Sequence, residues 1–353
     1  IAGSDAVSDP FIWHRDVLEP ALRSALASVS VVVPELVSMM CLAPFDIAYH
    51  DLIGKLAGAP TYTRYGRDSL AEDLAASCGT GSPACEVLRG VYPSDVIANT
   101  PARSVTAWHL VGLADPVDEL VGWVKRDGLT AVKVKLNGSE MASASARLDE
   151  VCAALRDTTV KRLSVDFNGT ALSIESLEGF VADNAGKRPR LVMIEQPRPA
   201  PGIEPVPAGL ARLARDAGIV LSLDESVLDP ADVVEARDAG WTGIVVKTCK
   251  TMTRALKIAA AAQRLGVGVI VQDLTNPMLA LVAHLQLAAH LDSGWGAEVN
   301  AVQYYPAASG PEAEVHPGAF TRAHGTVSTA SFTGPGIGYR IDEIDRCLPP
   351  RAA

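Results

Sequence analysis

From residue 104 onward, eight short runs of apolar, largely β-branched residues recur along the chain and alternate with longer amphipathic stretches. The runs cover residues 105–111, 131–136, 163–167, 191–195, 219–223, 243–247, 267–272 and 297–302. Short strands that alternate with helices predict βαβ units in a parallel sheet, and eight such units that close on themselves form a (β/α)8 barrel. An open doubly wound sheet is the competing interpretation, but it would carry a glycine-rich phosphate loop after its first strand, and none is present.

The chain before and after this repeat has a different pattern. Residues 16–30 and 35–57 have helical periodicity, whereas residues 61–100 mix Gly, Ser, Pro and Asp and are typical of loops. The sequence after residue 305 is also irregular. We therefore predict three parts: a partly helical lid at 1–100, a catalytic barrel at 101–320 and a C-terminal segment at 321–353 that returns to the lid.

Composition excludes several classes of protein. The chain has 353 residues with 31 Lys+Arg against 41 Asp+Glu, and the net charge of −10 argues against a nucleic acid or an anionic membrane as partner. No run of roughly 18 uninterrupted apolar residues predicts a membrane span. None of the six cysteines forms a Cys-x-x-Cys pair, so neither a zinc ribbon nor a disulfide framework is indicated, and we expect a cytoplasmic protein. The cysteines are Cys41, Cys78, Cys85, Cys152, Cys249 and Cys347, of which Cys78 and Cys85 share one loop.

Acidic residues stand where three successive strands end. Asp166, Glu195 and Asp224 are spaced by 29 residues each, about the length of one βα unit, so their side chains should reach one height at the barrel rim. Three converging carboxylates cannot all stay ionised without a counter-charge. Mg²⁺, for which Mn²⁺ could substitute, fits this need because it prefers oxygen ligands.

Lysines lie at the ends of two other strands. Lys133 and Lys135 are two residues apart and should both face the barrel interior, where neighbouring ammonium groups would lower the pKa of a lysine. Lys247 ends the sixth strand, opposite the second in an eight-stranded ring. One lysine on each face of a metal-bound substrate suits abstraction of a proton next to a carboxylate, with the metal stabilising the enediolate.

These segments, taken in order, resemble the enolase superfamily and its muconate lactonizing enzyme and mandelate racemase branch. The matching strand segments are Ala131-Val-Lys-Val-Lys-Leu-Asn, Val165-Asp-Phe-Asn-Gly, Met193-Ile-Glu-Gln-Pro, Leu223-Asp-Glu-Ser and Val246-Lys. The helix that begins Leu42-Ala-Pro-Phe-Asp and the turn Gly334-Pro-Gly-Ile-Gly are also similar. The resemblance implies Asp166, Glu195 and Asp224 as metal ligands.

The same resemblance implies roles for the lysines. Lys135 and Lys247 would be the acid and base, and Lys133 would tune Lys135 or contact the substrate carboxylate. It also implies a homo-oligomer and a small-molecule carboxylate substrate.

The chain departs from the family pattern in four places. The small antiparallel sheet that usually begins the lid is expected to be lost or reduced, and residues 61–100 are longer than the usual link. Thr248 and Cys249 stand where a glycine pair is common after the sixth-strand lysine. The seventh strand ends in Gln272-Asp273 and has no histidine, which argues against the His–Asp base of mandelate racemase.

Other polar residues near strand ends are candidates for supporting roles. Asn168 and Glu225 would contact the metal ligands, while Asp273 and Glu298 would polarise the substrate or a lysine, or else cap loops. His109, in the first strand, is placed to reach the pocket, and Lys250 is interpreted as a solvated charge at a helix start.

The sequence thus predicts an enzyme that uses Mg²⁺ to abstract the α-proton of a carboxylate. A racemase, epimerase or cycloisomerase with two opposed lysines is the first interpretation. A hydroxy-acid dehydratase on the same scaffold is the alternative. A barrel that binds a ligand without catalysis is the second alternative.

Overall fold

A helical region begins the part of the chain that this computed structural model describes, residues 9–79, 81–291 and 293–346. Its helices are α1 Pro10–Trp13, α2 Glu19–Leu26, α3 Glu35–Leu56 and α4 Ala84–Leu88. A π-helical turn at His14–Leu18 connects the first two. α3 ends just before Gly58, whose φ of +62° is a left-handed conformation that glycine adopts without steric cost. Residues 61–100 otherwise contain short 3₁₀ turns, in keeping with the loop-rich pattern of the sequence.

The helix α3 is, among the described residues, the one helix that is long and apolar enough to cross a membrane by length and composition. It buries Asp46 and His50 and packs against the turn Thr248–Lys250. Buried polar groups of this kind, each with a protein partner, are typical of a helix in the core of a folded domain.

A closed barrel of eight parallel strands follows. The strands are β1 Ser104–Val111, β2 Ala131–Lys135, β3 Arg162–Asp166, β4 Arg190–Glu195, β5 Val220–Leu223, β6 Gly243–Val246, β7 Gly268–Val271 and β8 Ala297–Glu298. Each strand pairs with the next in sequence, and β1 pairs with both β2 and β8, which closes the ring. The predicted (β/α)8 barrel is confirmed.

Helices cover the outside of the barrel. They are α5 Val117–Asp127, α6 Met141–Leu155, α7 Ser176–Asn184, α8 Ala208–Ala217, α9 Pro230–Asp238, α10 Met252–Leu265 and α11 Leu279–Leu291. The strands are buried on both faces, which explains their continuous apolar runs; Ile244, Val245 and Val246, for example, have no solvent exposure. Their side chains alternate between the barrel interior and the helix layer.

The lower half of the barrel interior is filled with apolar side chains. Trp108, Ala131, Met193, Val245 and Ile270 form one buried cluster there. The next inward-facing residue of each strand lies closer to its carboxyl end, where the polar residues of the sequence are concentrated. The packed interior therefore leaves only the carboxyl-terminal end of the barrel for chemistry.

The eighth strand is shorter than the sequence predicted. The apolar run at 297–302 was expected to be a strand throughout, but β8 ends at Glu298 and a short helix, α12 Asn300–Tyr304, begins two residues later. The carboxylate of Asp273 accepts a hydrogen bond from the backbone N–H of Ala301 at 3.1 Å and so satisfies a free donor of the first turn. A partner that is distant in sequence thus stabilises the start of the helix that replaces the rest of the predicted strand.

The C-terminal part contacts both the barrel and α3. After α13 Gly310–Val315, a ninth strand, β9 Thr326–Ser328, pairs antiparallel with the start of β1. Gly336 then accepts a hydrogen bond from the backbone of Thr61 at 2.8 Å, and Asp51 of α3 accepts one from the N–H of Ile337. Gly336 has a φ of +77°, and a Cβ there would lie 2.1 Å from the Asp51 side chain. The division into three parts stays a prediction.

Candidate active site

The inward-facing lysine of β2 occupies the centre of the barrel mouth. The Nζ of Lys133 lies 3.0 Å from Asp166, 2.8 Å from Glu195 and 2.8 Å from Glu298. Lys133 is only 1% exposed. The strand-end carboxylates of β3 and β4 therefore converge as the spacing predicted, and a protein ammonium group lies between them.

The surroundings of Lys133 contradict the expected pKa shift. Burial opposes the charge of this lysine, but the attraction of Asp166, Glu195 and Glu298 outweighs it and raises the pKa well above its ordinary range. The expectation that neighbouring ammonium groups would lower the pKa is wrong for Lys133, because three carboxylates lie within 3.0 Å of its ammonium group. In this structure it holds charge and positions the acids.

The second lysine of β2 reaches the solvent side of the same carboxylate. Lys135 Nζ lies 2.5 Å from Asp166 Oδ2, and its side chain is 25% exposed. The N–H of Asn168 donates to Asp166 Oδ1 at 2.8 Å, although the Asn168 side chain itself is exposed. Burial opposes ionisation of Asp166, but Lys133 and Lys135 lower its pKa to about 2.

On the opposite side of the mouth, two lysines hold Asp224. Lys247 Nζ lies 2.5 Å from Asp224 Oδ2 and its side chain is 11% exposed. Burial disfavours its charge, yet Asp224 raises its pKa. Lys250 is 1% exposed and donates to the Asp224 carboxylate at 3.0 Å and to the backbone carbonyls of Asp224 and Val227. The interpretation of Lys250 as a solvated charge is wrong.

Gln272 connects Glu195 to Lys133 and was not singled out from the sequence. Its Nε2 donates to Glu195 Oε2 at 2.5 Å, and its Oε1 accepts from Lys133 at 3.2 Å. Burial, followed by the neighbouring Asp166, raises the pKa of Glu195 well above its ordinary value. Strand alternation from Ile270 was a signal that Gln272 faces inward.

The remaining candidates from the sequence have different surroundings. Glu298 contacts Lys133 and accepts a hydrogen bond from Asn300 Nδ2 at 3.2 Å. Glu225 has one buried oxygen without a hydrogen-bond partner among the described residues. Asp273 contacts none of the lysines of the mouth within the described chain. It accepts from Ala301, and its Oδ1 has no partner in that part of the structure.

The metal proposed from the sequence is compatible with the donor chemistry. Asp166, Glu195 and Asp224 offer only oxygen atoms, the ligands that Mg²⁺ prefers. No three His, Cys, Asp or Glu side chains in residues 9–79, 81–291 and 293–346 are arranged as a metal-holding group, and lysines contact Asp166 and Asp224. The counter-charge that the acids need is thus supplied by lysines as well. The three acids as Mg²⁺ ligands stay a prediction.

His109 does not face the mouth. It lies on β1 between the inward-facing Trp108 and Leu110, so strand alternation turns its ring to the outside of the barrel. There its Nδ1 lies 2.8 Å from Arg322, beside Trp123. The expectation that His109 reaches the pocket is wrong.

A family model described as "Enolase C-terminal domain-like" matches residues 115–345, more than half of the chain. An aromatic dipeptide epimerase from Herpetosiphon aurantiacus is 28% identical over 46% of this chain and 44% of its own length. An L-Ala-D/L-Glu epimerase from Bacteroides thetaiotaomicron is 24% identical over 81% of this chain and 60% of its own length. The chain thus spans about half the length of the curated relatives it matches.

Solved structures agree with the fold. A muconate lactonizing enzyme from Klebsiella pneumoniae superposes with a TM-score of 0.59 at 19% identity, covering 92% of this chain and 77% of that one. A dipeptide epimerase from Enterococcus faecalis V583, solved with Mg and the dipeptide L-Leu-L-Tyr, gives a TM-score of 0.57 at 19% identity. That match covers 83% of this chain and 70% of the other.

Proposed function

This chain belongs to the enolase C-terminal domain-like family, and from that membership we propose that it is an isomerase that moves the α-proton of a small carboxylate substrate. The epimerases among its relatives favour racemisation or epimerisation as the reaction. The muconate lactonizing enzymes among its structural neighbours favour cycloisomerisation instead. Both reactions need a group that removes a proton next to a carboxylate.

The observation that carries the proposal is the placement of two partly exposed lysines on opposite sides of the mouth. Lys135 ends β2 and Lys247 follows β6, and three strands separate β2 from β6 in either direction around the ring. Each ammonium group is anchored by one carboxylate, Asp166 or Asp224. A substrate carbon between them would have one lysine on each face.

Two opposed lysines permit a two-base reaction. For this, one lysine must be present as the neutral amine, which accepts the α-proton from one face, while the other, as the ammonium, delivers a proton to the opposite face, so the configuration at that carbon inverts. Asp166 and Asp224 fix the direction of the two side chains, and Lys133 keeps positive charge beneath the substrate.

Mg²⁺ is part of the proposal. Asp166, Glu195 and Asp224 would hold it, and when bound it would stabilise the negative charge that develops on the substrate carboxylate as the proton leaves. A homo-oligomeric, cytoplasmic protein remains our expectation from the sequence.

Deuterium incorporation from D₂O tests the proposed function. We expect the protein with Mg²⁺ to exchange the α-proton of a substrate from a panel of dipeptides and other small carboxylates, detected by mass spectrometry, and to invert its configuration, detected by chiral chromatography. Chelation with EDTA should abolish both signals, and added Mg²⁺ should restore them. A keto-acid product that has lost water would indicate a dehydratase instead, and absence of exchange across the panel would contradict the proposal.

A further inference from the structure

Two short arms of the chain, residues 73–78 and 84–91, lie side by side in the N-terminal region. The carboxylate of Asp73 accepts a hydrogen bond from the N–H of Gly90 at 2.7 Å. The helix α4 packs against the 3₁₀ turn that precedes Cys78, and it also packs against α10 on the outside of the barrel. Each arm is therefore held in place both by the other and by the barrel.

Each arm carries a free cysteine. Cys78 ends the first arm, and Cys85 lies in the first turn of α4. The side chains of the two cysteines are in hydrogen-bond contact with each other. Each sulfur also lies near a backbone carbonyl, Cys78 Sγ at 3.6 Å from that of Leu74 and Cys85 Sγ at 3.3 Å from that of Gly79. Two thiols in contact are the arrangement from which an intramolecular disulfide forms.

The two thiols differ in their surroundings. Cys78 packs against the hydrophobic core, and burial raises its pKa to about 11, although the ammonium group of Lys257 opposes that rise. Lys257 is 6% exposed, and its Nζ donates to the carbonyl of Ser77 at 2.9 Å, which keeps the positive charge beside Cys78. The contact of Cys85 with Gly79 is exposed to solvent. Cys85 is therefore the thiol that a dissolved oxidant reaches first.

We propose that Cys78 and Cys85 form a modification site, at which a low-molecular-weight disulfide such as oxidised glutathione converts the two thiols into a reversible disulfide. The pair lies over α10 and away from the lysines of the mouth, so this proposal does not depend on the proposed function.

The reaction proceeds by two thiol–disulfide exchanges. The thiolate of Cys85 attacks one sulfur of oxidised glutathione, which forms a mixed disulfide and releases one glutathione thiolate. The thiolate of Cys78 then attacks the sulfur of Cys85 and releases the second glutathione thiolate, and the positive charge of Lys257 favours the thiolate of Cys78 in this step. The protons of the two cysteines pass to the released thiolates. The protein thus loses two hydrogens, and oxidised glutathione becomes two molecules of glutathione.

Peptide mapping of the whole protein tests the proposal. Both thiols lie in one tryptic peptide, residues 68–89, because the flanking cleavage sites are Arg67 and Arg89. The wild-type protein is incubated with excess oxidised glutathione, its remaining thiols are blocked with N-ethylmaleimide in denaturant, and the digest is analysed by mass spectrometry without reductant. We expect this peptide to lose both maleimide labels and two hydrogens. Treatment with dithiothreitol before blocking should restore both labels.

Three variants resolve the two steps. Cys78→Ala should accumulate the mixed disulfide of Cys85 with glutathione, because the second thiol is missing. Cys85→Ser should keep the maleimide label on Cys78, because the first step is lost. Cys41→Ser, on the exposed side of α3, is the matched control and should form the disulfide as the wild type does.

Two results for the wild type would overturn the proposal: a peptide that keeps both labels, or one that carries glutathione on Cys85 while Cys78 stays labelled. Glutathione on Cys78 in the Cys85→Ser variant would overturn the order of attack. Circular dichroism verifies that the variants are folded. The measured quantity is the mass of one peptide, so a failure of the α-proton exchange assay would leave this result unchanged.

Discussion

Two buried clusters of charged side chains lie on either side of the connection from β6 to α10, and they differ in how completely they are closed. At the mouth, Lys135 and Lys247 each have one carboxylate partner and keep part of their surface exposed. Behind it, Asp46 of α3 is 1% exposed and accepts from His14 at 2.7 Å and from the backbone and hydroxyl of Thr253.

The closed cluster continues through neutral groups. His50 has no exposure; its Nε2 lies 2.9 Å from the Thr253 hydroxyl and its Nδ1 lies 2.6 Å from the hydroxyl of Tyr65. Burial lowers the pKa of His50 to about 4 and keeps it neutral. The difference indicates that the Asp46 cluster attaches the N-terminal helices to the barrel, whereas the mouth keeps polar groups available for a ligand.

The largest expected effect is a loss of activity when a lysine of the mouth is substituted. Lys135→Met and Lys247→Met should each lower the rate of α-proton exchange by about 10²- to 10⁴-fold, because each removes one proton-transfer group. The melting temperature should change little for Lys135→Met, since its side chain is partly solvated. Lys125→Met, on the exposed face of α5, is the matched control. Full turnover in both the Lys135 and the Lys247 variant would contradict the assignment of the mouth as the catalytic cluster.

The second effect is a loss of stability when the Asp46 cluster is disrupted. Asp46→Asn replaces a buried carboxylate that three donors contact, and we expect the free energy of unfolding to fall by about 3–5 kcal/mol. Urea denaturation followed by fluorescence measures this loss. Exchange activity measured well below the melting temperature should persist. A variant as stable as the wild type would mean that the closed cluster does not hold the N-terminal helices in place.

The third prediction concerns Asp273, which follows β7 at the same end of the barrel as the mouth. Burial raises its pKa from 3.8 to about 7, so the folded protein holds a proton that the unfolded chain has lost. Its contribution to stability is therefore present below pH 3.8 and is lost as the pH rises through about 7. Asp273→Asn should be more stable than the wild type at pH 8, by about 1–3 kcal/mol, and the gain should shrink at pH 5. Thermal melts at the two pH values test this, and an equal gain at both would contradict it.

The smallest effect concerns His14. Burial opposes its charge, but Asp46 and Glu19 raise its pKa above 6.5, so its stabilising contribution is complete below pH 6.5 and is lost as the pH rises through the raised value. His50 contacts Asp46 and Arg254 contacts Glu19, and burial shifts the pKa of His50 downward, opposite to the shift of His14. The difference in unfolding free energy between wild type and His14→Gln isolates His14.

That difference should be about 1 kcal/mol at pH 6 and should decrease at higher pH. Denaturation curves at several pH values measure it. A difference that grows with pH would mean that His14 is neutral in the folded protein.

The sequence predicted most of the barrel because each strand carries its own signal. Apolar β-branched runs and their spacing placed all eight strands within a few residues, and the same spacing brought Asp166 and Glu195 to one height. The local pattern was insufficient where a distant partner decides the outcome. β8 ends early and α12 begins instead, with its first turn bonded to Asp273, a partner that the residues 297–302 do not themselves reveal.

The lysines show the same limit. Lys250 looks like any lysine before a helix, and its burial depends on the carbonyls of Asp224 and Val227, which the fold brings to it. Lys133 lies inside the barrel as expected, but its pKa is raised by Asp166, Glu195 and Glu298 together, and Glu298 comes from the last strand of the barrel. His109 faces outward because it follows the inward-facing Trp108 on the same strand, and the side chains of a strand alternate between its two faces.

The two-residue strand β8 has a consequence for the order in which the molecule folds. The ring closes through three residue pairs of β8. Ala297 pairs with Val271 of β7 and with Ala107 of β1, and Glu298 pairs with Trp108 of β1. The pairs with β1 join segments that are far apart in sequence. Such closure carries a large loop entropy, and we therefore expect it to come late in folding. The contact of Glu298 with Lys133 spans this seam, so we expect the closure of the barrel and the pairing of these two charges to occur in the same folding step.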